Sequence, residues 1–175
     1  LAVLGGTVGA VIFALILGIP TLRLRADYLA IVTIAAAEII RQVVRSVTFR
    51  DYLGGSDGIS GKYAAAWFDL NPFPQGIETP LVRYSRNDLW VVITGWALVL
   101  LIVLFTWLLV RSPWGRVLKS IREDEDAVRS LGKNVYLYKM EALILGGVIG
   151  SFAGVTFAVA AQSVQPDNYS TTLTF

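Results

Sequence analysis

Three stretches of the chain carry no charged residue at all: Leu1–Leu22, Leu89–Val110 and Ala142–Pro166. At 1.5 Å per residue, a helix of about 20 apolar residues covers the roughly 30 Å of a bilayer's hydrocarbon core. The pattern predicts membrane spans over Leu1–Leu22, Leu89–Val110 and Met140–Gln165. A fourth is expected over Tyr28–Val44, where Glu38 and Arg41 interrupt the apolar run and leave room for a short, tilted or re-entrant helix. Arg23–Asp27 is so short a connection that the helices flanking it are expected to be antiparallel neighbours. The expected fold class is therefore all-α, a multi-pass integral membrane helix bundle in the cell (inner) membrane. The chain starts without Met and ends just after an apolar run, which reads as part of a larger transmembrane domain, residues 1–175 being one piece of it. Leu1–Leu22 lacks the basic start of a signal peptide and is too long for its apolar core, so a mature span is the better reading.

The polar stretches between the spans differ in kind. Ser46–Asp88 holds Gly54, Gly55, Gly58, Gly61, Gly76, Pro72, Pro74 and Pro80, a density of turn formers that opposes a continuous helix. Its aromatics Tyr63, Trp67, Phe68 and Phe73 are expected to pack on the bundle or lie at the interface. Arg111–Lys139 reads instead as a short amphipathic helix outside the membrane. Pro113 and Gly115 stop the preceding span and Gly132 is placed to end the helix. Val117, Leu118, Ile121, Val128 and Leu131 form an apolar stripe, broken where Asp124 and Glu125 fall. Lys119–Glu123, Arg122–Asp126 and Glu125–Arg129 are opposite charges at i,i+4, each worth about 0.2–0.5 kcal/mol. From spacing alone this could equally be a solvated, salt-bridged loop helix. No internal repeat or low-complexity tract interrupts the pattern.

Composition sharpens this picture. Hydrophobic residues make up 55% of the chain and charged ones 16%, and the mean hydropathy is +0.61. With no His and no Cys, the chain cannot build a Ser-His-Asp triad, a thiol nucleophile, a disulfide or a thiolate/imidazole metal site; no metal site is expected. The net charge of +2 sits beside apolar runs, so nucleic acid is not an expected partner, whereas membrane lipid is. Nine Lys and Arg residues, Arg23, Arg25 and those of Arg111–Lys139, fall on one side of the expected spans and six on the other. The excess makes Arg111–Lys139 the cytoplasmic loop and Ser46–Asp88 the extracytoplasmic one.

Several residues are candidates for packing or chemistry. Gly146, Gly150 and Gly154, with Ala158, form a smooth face on the last span, and Gly5 and Gly9 repeat the spacing on the first. Such faces let helix backbones approach in lipid, within one subunit or between two. Glu38 and Arg41 are three apart and can pair, either as an anchor near the span's end or as part of a water-lined pathway that has Thr33 on a neighbouring face. Leu53–Ile59 could fold as an anion-binding nest or as a plain turn. The Gly61-Lys62 pair that follows is no nucleotide-binding P-loop, because Ser56 stands where its first Gly belongs and Tyr63 replaces Ser/Thr.

The segment Gly115-Arg-Val-Leu-Lys-Ser-Ile-Arg-Glu-Asp-Glu-Asp-Ala-Val-Arg-Ser-Leu-Gly132 closely resembles the cytoplasmic loop of branched-chain amino acid ABC transporter permeases of the LivM type. Leu22–Thr33, Glu38–Arg41, Gly54–Ile59 and Tyr138-Lys139 extend the resemblance over most of Leu22–Ala158. Importers of this kind dock on their ATP-binding subunits through a loop of pattern E-A-A-x-x-x-G. Asp126-Ala-Val-Arg-Ser-Leu-Gly132 is similar, with Asp for Glu, Val for the second Ala, and no downstream I-x-L-P.

The resemblance implies a non-catalytic permease subunit that works with two ATP-binding subunits, a second homologous permease subunit and an extracytoplasmic substrate-binding protein. It would carry no cofactor of its own, ATP being bound by the partners. It assigns coupling to Gly115, Arg116, Ile121, Arg122, Glu123, Asp124, Glu125, Asp126, Ala127, Leu131 and Gly132, with the apolar stripe entering a groove of the partner. Tyr28, Thr33 and Glu38 would line the path of a branched-chain or other neutral amino acid. Urea or a short amide is the alternative cargo within such permeases. An ion-coupled transporter using Glu38 as its proton or cation site is the rival from another class, and a membrane enzyme is disfavoured by the missing His, Cys and clustered carboxylates.

Overall fold

The computed structural model describes residues 2–22, 26–46, 48, 58–60, 65–78 and 83–166. The chain runs α1 (Ala2–Thr21), α2 (Ala26–Arg45), β1 (Ile59–Ser60), α3 (Ala65–Asp69), β2 (Ile77–Glu78), β3 (Arg83–Tyr84), α4 (Arg86–Arg111), α5 (Pro113–Glu123), α6 (Glu125–Ser130), α7 (Val135–Ala161) and β4 (Ser163–Val164). It is an all-α bundle in which the strands are two-residue pairings, β1 with β4 and β2 with β3, both antiparallel. Among the described residues, Val3–Thr21, Arg86–Arg111 and Val135–Ala161 are long and apolar enough to cross a membrane. α2 has the length, 20 residues, but Asp27, Glu38, Arg41 and Arg45 keep it from qualifying by composition.

The tightest packing joins α1 to α7, which run antiparallel: Gly6 faces Val155, Gly147 faces Ala10 and Ala14, and Gly18 faces Met140 and Leu143. A Cβ on Gly18 would come within 2.8 Å of both the Met140 sulfur and the Leu143 side chain, so any larger residue there would require those two flexible side chains to shift. The glycine faces expected from spacing are not the ones in the α1–α7 contact. Cβ atoms at Gly5, Gly9, Gly146, Gly150 or Gly154 would meet nothing within 4 Å among the described residues, so the α1–α7 contact uses the adjacent residues Gly6 and Gly147 instead.

Elsewhere the outer surface is apolar, as with Leu4, Trp96 and Leu100, each about two-thirds exposed. Such surface is satisfied by lipid tails and would be a liability in water.

The antiparallel α1–α7 pair fixes which loops share a side. The end of α1 at Thr21 lies beside the start of α7, where the Tyr136 hydroxyl reaches the Ile19 carbonyl at 3.5 Å. The other end of α7 leads to β4, which pairs with β1 of the long loop through Ile59↔Val164. The 111–134 segment and the end of α1 therefore lie at one end of the bundle, and β1, with α3 packed on the start of α4, at the other.

Part of that long loop is tied to the bundle. Trp67 of α3 tilts against Trp90 of α4 at 5.6 Å, and Phe73 meets the same ring edge-on at 6.4 Å. The Trp90 indole donates to the Trp67 carbonyl (3.2 Å), and buried Asn71 donates to the Arg86 carbonyl (2.9 Å) while the Arg86 guanidinium returns a bond to the Asn71 carbonyl (3.2 Å). α4 then starts with a capping box, Ser85 and Asp88 each accepting from the other's backbone N–H at 3.2 Å. Of the Leu53–Ile59 nest, residues 53–57 lie outside the described residues; Gly58 has the left-handed φ of +69° that a turn there requires.

Candidate coupling site

Between α4 and α7 the chain leaves the bundle and returns through two short helices, where one was expected. Ser112 closes α4 and caps α5: its hydroxyl donates to the Leu109 carbonyl (2.6 Å) and accepts from the Gly115 N–H (3.3 Å). Pro113 fills the first helical position, where its missing N–H costs nothing. Gly115 is buried so tightly against the Leu109 and Val110 backbones that no side chain fits.

The break falls at Asp124, which is extended (φ −151°, ψ 103°) and accepts from the Ala127 N–H at 2.9 Å. Aspartate competes for backbone donors inside a helix and is stabilising at an N-cap, so the chain restarts here. Gly132, at φ +77°, ends α6, and Asn134 caps α7 by accepting from the Leu137 N–H at 3.1 Å. What sequence reads as an interruption of the stripe is the corner of a hairpin.

The corner turns the apolar stripe inward. Ile121 of α5 and Val128 of α6 are buried against Val135 at the base of α7, with Val117, Leu118 and Tyr138 packed around them. The expectation that this stripe enters a partner's groove is thereby corrected, because burial within the chain has already consumed it. Leu131 is the exception, 80% exposed at the end of α6.

Two polar links fasten the hairpin to α7. The Lys139 ammonium bonds the Glu125 carboxylate at 2.5 Å, and Glu125 also takes Arg129 at 2.9 Å. The Trp114 indole donates to the Glu141 carboxylate at 2.6 Å. Of the expected charge pairs, Glu125–Arg129 forms; Arg122–Asp126 does not, because the corner at Asp124 carries α6 off the helical path that spacing assumes, and Lys119–Glu123, although both lie within α5, does not, Glu123 being bonded to Arg122. Arg122 bonds its neighbour Glu123 (3.0 Å) and Asp126 takes Arg129 (3.2 Å).

The coupling candidates thus divide. Gly115, Ile121, Asp124, Glu125 and Gly132 build the hairpin. Arg116, Arg122, Glu123, Asp126, Ala127 and Leu131 lie on its exposed surface. Trp114 and Glu141 were missed in the sequence; the lone carboxylate nearly two turns into α7, just before its uncharged run, was the available signal.

The pathway candidates are not gathered here. Glu38 lies on α2, where Arg41 grips both its oxygens (2.6 and 2.9 Å) and the Gln42 amide adds a third bond at 2.9 Å. Thr33 is half-buried on the same helix, and the Tyr28 side chain lies outside the described residues. The Glu38–Arg41 geometry is that of a satisfied ion pair, with both carboxylate oxygens engaged.

The described residues thus form an apolar helical bundle with two short polar helices at one end. The family model of the branched-chain amino acid transport system permease component matches residues 1–175, and the chain belongs to that family. It is a multi-pass protein of the inner membrane.

The high-affinity branched-chain amino acid transport system permease proteins LivM of Salmonella typhimurium and Escherichia coli are 34% and 33% identical to it over 165 residues. Each match covers 89% of this chain and 38% of the relative. The probable LivM of Methanocaldococcus jannaschii is 28% identical over 164 residues, 93% of this chain and 41% of the relative. The chain thus spans about two fifths of the length of these relatives. No solved structure matches.

Proposed function

We propose that this chain is the part of an ATP-driven importer's permease subunit that receives force from the ATP-binding subunits, and that the importer carries branched-chain or other neutral amino acids. The carrying observation is the α5–α6 hairpin: locked to α7 by the Ile121–Val128–Val135 core, by Lys139–Glu125 and by Trp114–Glu141, it still exposes Glu123, Asp126 and Leu131. A partner's groove would take Leu131 as its apolar anchor, with the surrounding charges fixing register.

In this reading the hairpin lies in the cytosol. Closure of two nucleotide-loaded subunits displaces it as a unit, α7 and the α1 packed on it follow, and α4 is drawn along through the tight Ser112–Gly115 joint. A second, homologous permease subunit completes the pathway, and a binding protein delivers cargo at the end that carries α3 and the strand pairs. ATP is hydrolysed by the partners, so this chain supplies no catalytic group. The amino-acid cargo is taken from the names of the relatives; urea or a short amide is the competing cargo, which binding of leucine, alanine and urea to the cognate receptor distinguishes.

Leu131→Glu tests the coupling directly. In the assembled transporter it should lower substrate-stimulated ATP hydrolysis by about tenfold or more, the scale on which a buried interface anchor acts, with insertion and thermal stability unchanged because Leu131 is 80% exposed. Uptake that persists without ATP-binding subunits would reject the proposal in favour of ion coupling.

A further inference from the structure

Where α4 leaves the membrane, a groove of about 460 Å³ opens between its last turns and α5. Its wall is the α4 face formed by Ile102, Val103, Thr106 and Val110, and its mouth is flanked by Arg111 of α4 and Lys119 of α5. Among the described residues, no carboxylate lines it. The Arg111 guanidinium stacks 3.9 Å above the Trp107 ring, which positions the cation while leaving its charge unneutralised. The Lys119 side chain has no hydrogen-bond or ion-pair partner among the described residues, its expected partner Glu123 being bonded to Arg122.

Depth gives the groove its meaning. The uncharged run Leu89–Val110 fills the hydrocarbon thickness, so Arg111 falls at the level where lipid headgroups begin, with Trp107 one turn deeper as an interfacial aromatic. An apolar wall inside the membrane, capped by two cations at headgroup level, matches one kind of molecule in shape and charge: an acyl chain ending in a phosphate.

We propose that this groove is a binding site for an anionic glycerophospholipid, one acyl chain lying along Ile102–Val110 and the headgroup phosphate held between Arg111 and Lys119. Because one cation belongs to the span and the other to α5, the bound lipid bridges the joint at Ser112–Gly115. The site depends neither on the cargo nor on ATP-binding partners, so it stands or falls separately from the proposed function.

Native mass spectrometry of the full-length protein in detergent, titrated with phosphatidylglycerol or phosphatidylcholine of equal chain length, tests it. Phosphatidylglycerol should be retained preferentially. Removing each cation should weaken it by about fivefold, hence roughly twenty-five-fold for Arg111→Gln with Lys119→Gln together. Lys119→Gln alone, at an exposed position that supports no packing, serves if the double variant folds poorly, and Lys133→Gln is the charge-matched control expected to leave binding unchanged. Equal retention of both lipids, a Lys133→Gln effect as large as that of Lys119→Gln, or displacement of the lipid by inorganic phosphate would overturn the assignment.

Discussion

Gly18 and Trp114 show how single residues hold this assembly. Gly18→Leu places a side chain where Met140 and Leu143 already sit. Overpacking of this kind costs about 1–3 kcal/mol, and thermal unfolding in detergent should fall accordingly. Trp114→Phe keeps the ring but removes the donor to Glu141, a charge-assisted bond worth about 1.5–3 kcal/mol; hydrogen exchange at the start of α5 should speed up while the α1–α7 contact is untouched. The sequence made it plain that glycine would govern helix approach here, since spacing exposes small faces. It did not reveal which face, because Gly146 and Gly147 differ by one step of about 100° and the choice belongs to the partner helix. Likewise Glu38 and Arg41 were legible as a pair, three residues apart on one helix, whereas Glu141 was not, its partner lying 27 residues away in sequence.

At the scale of elements, the corner at Asp124 decides whether the segment between α4 and α7 is a rod or a hairpin. Charge spacing favoured one continuous helix; the preference of aspartate for capping outweighed it, and the reward is the burial of Ile121 and Val128 on Val135. Asp124→Ala removes the acceptor for the Ala127 N–H and should cost about 1 kcal/mol, read as an increase of roughly fivefold in hydrogen exchange across α6 with α7 unchanged. The spans themselves were evident from uncharged runs, since backbone satisfaction in lipid leaves helices as the simplest solution. α3 and the strand pairs were not, because they depend on contacts such as Trp67 on Trp90 that no local pattern encodes.

For the whole molecule, the antiparallel α1–α7 pair puts α3 and the α5–α6 hairpin at opposite ends of the bundle, and the account requires the hairpin end to be cytoplasmic. The chain has no cysteine, so single substitutions report without background. Leu70→Cys, beyond α3 and 69% exposed, should react with a membrane-impermeant maleimide applied to intact cells, and Leu131→Cys should react only after lysis. The most direct measurement is cross-linking from Leu131→Cys in the complete transporter. The account predicts a covalent adduct with an ATP-binding subunit and none from Leu70→Cys. Labelling of position 131 from outside the cell, or an assembled transporter in which position 131 captures no ATP-binding subunit, would contradict it.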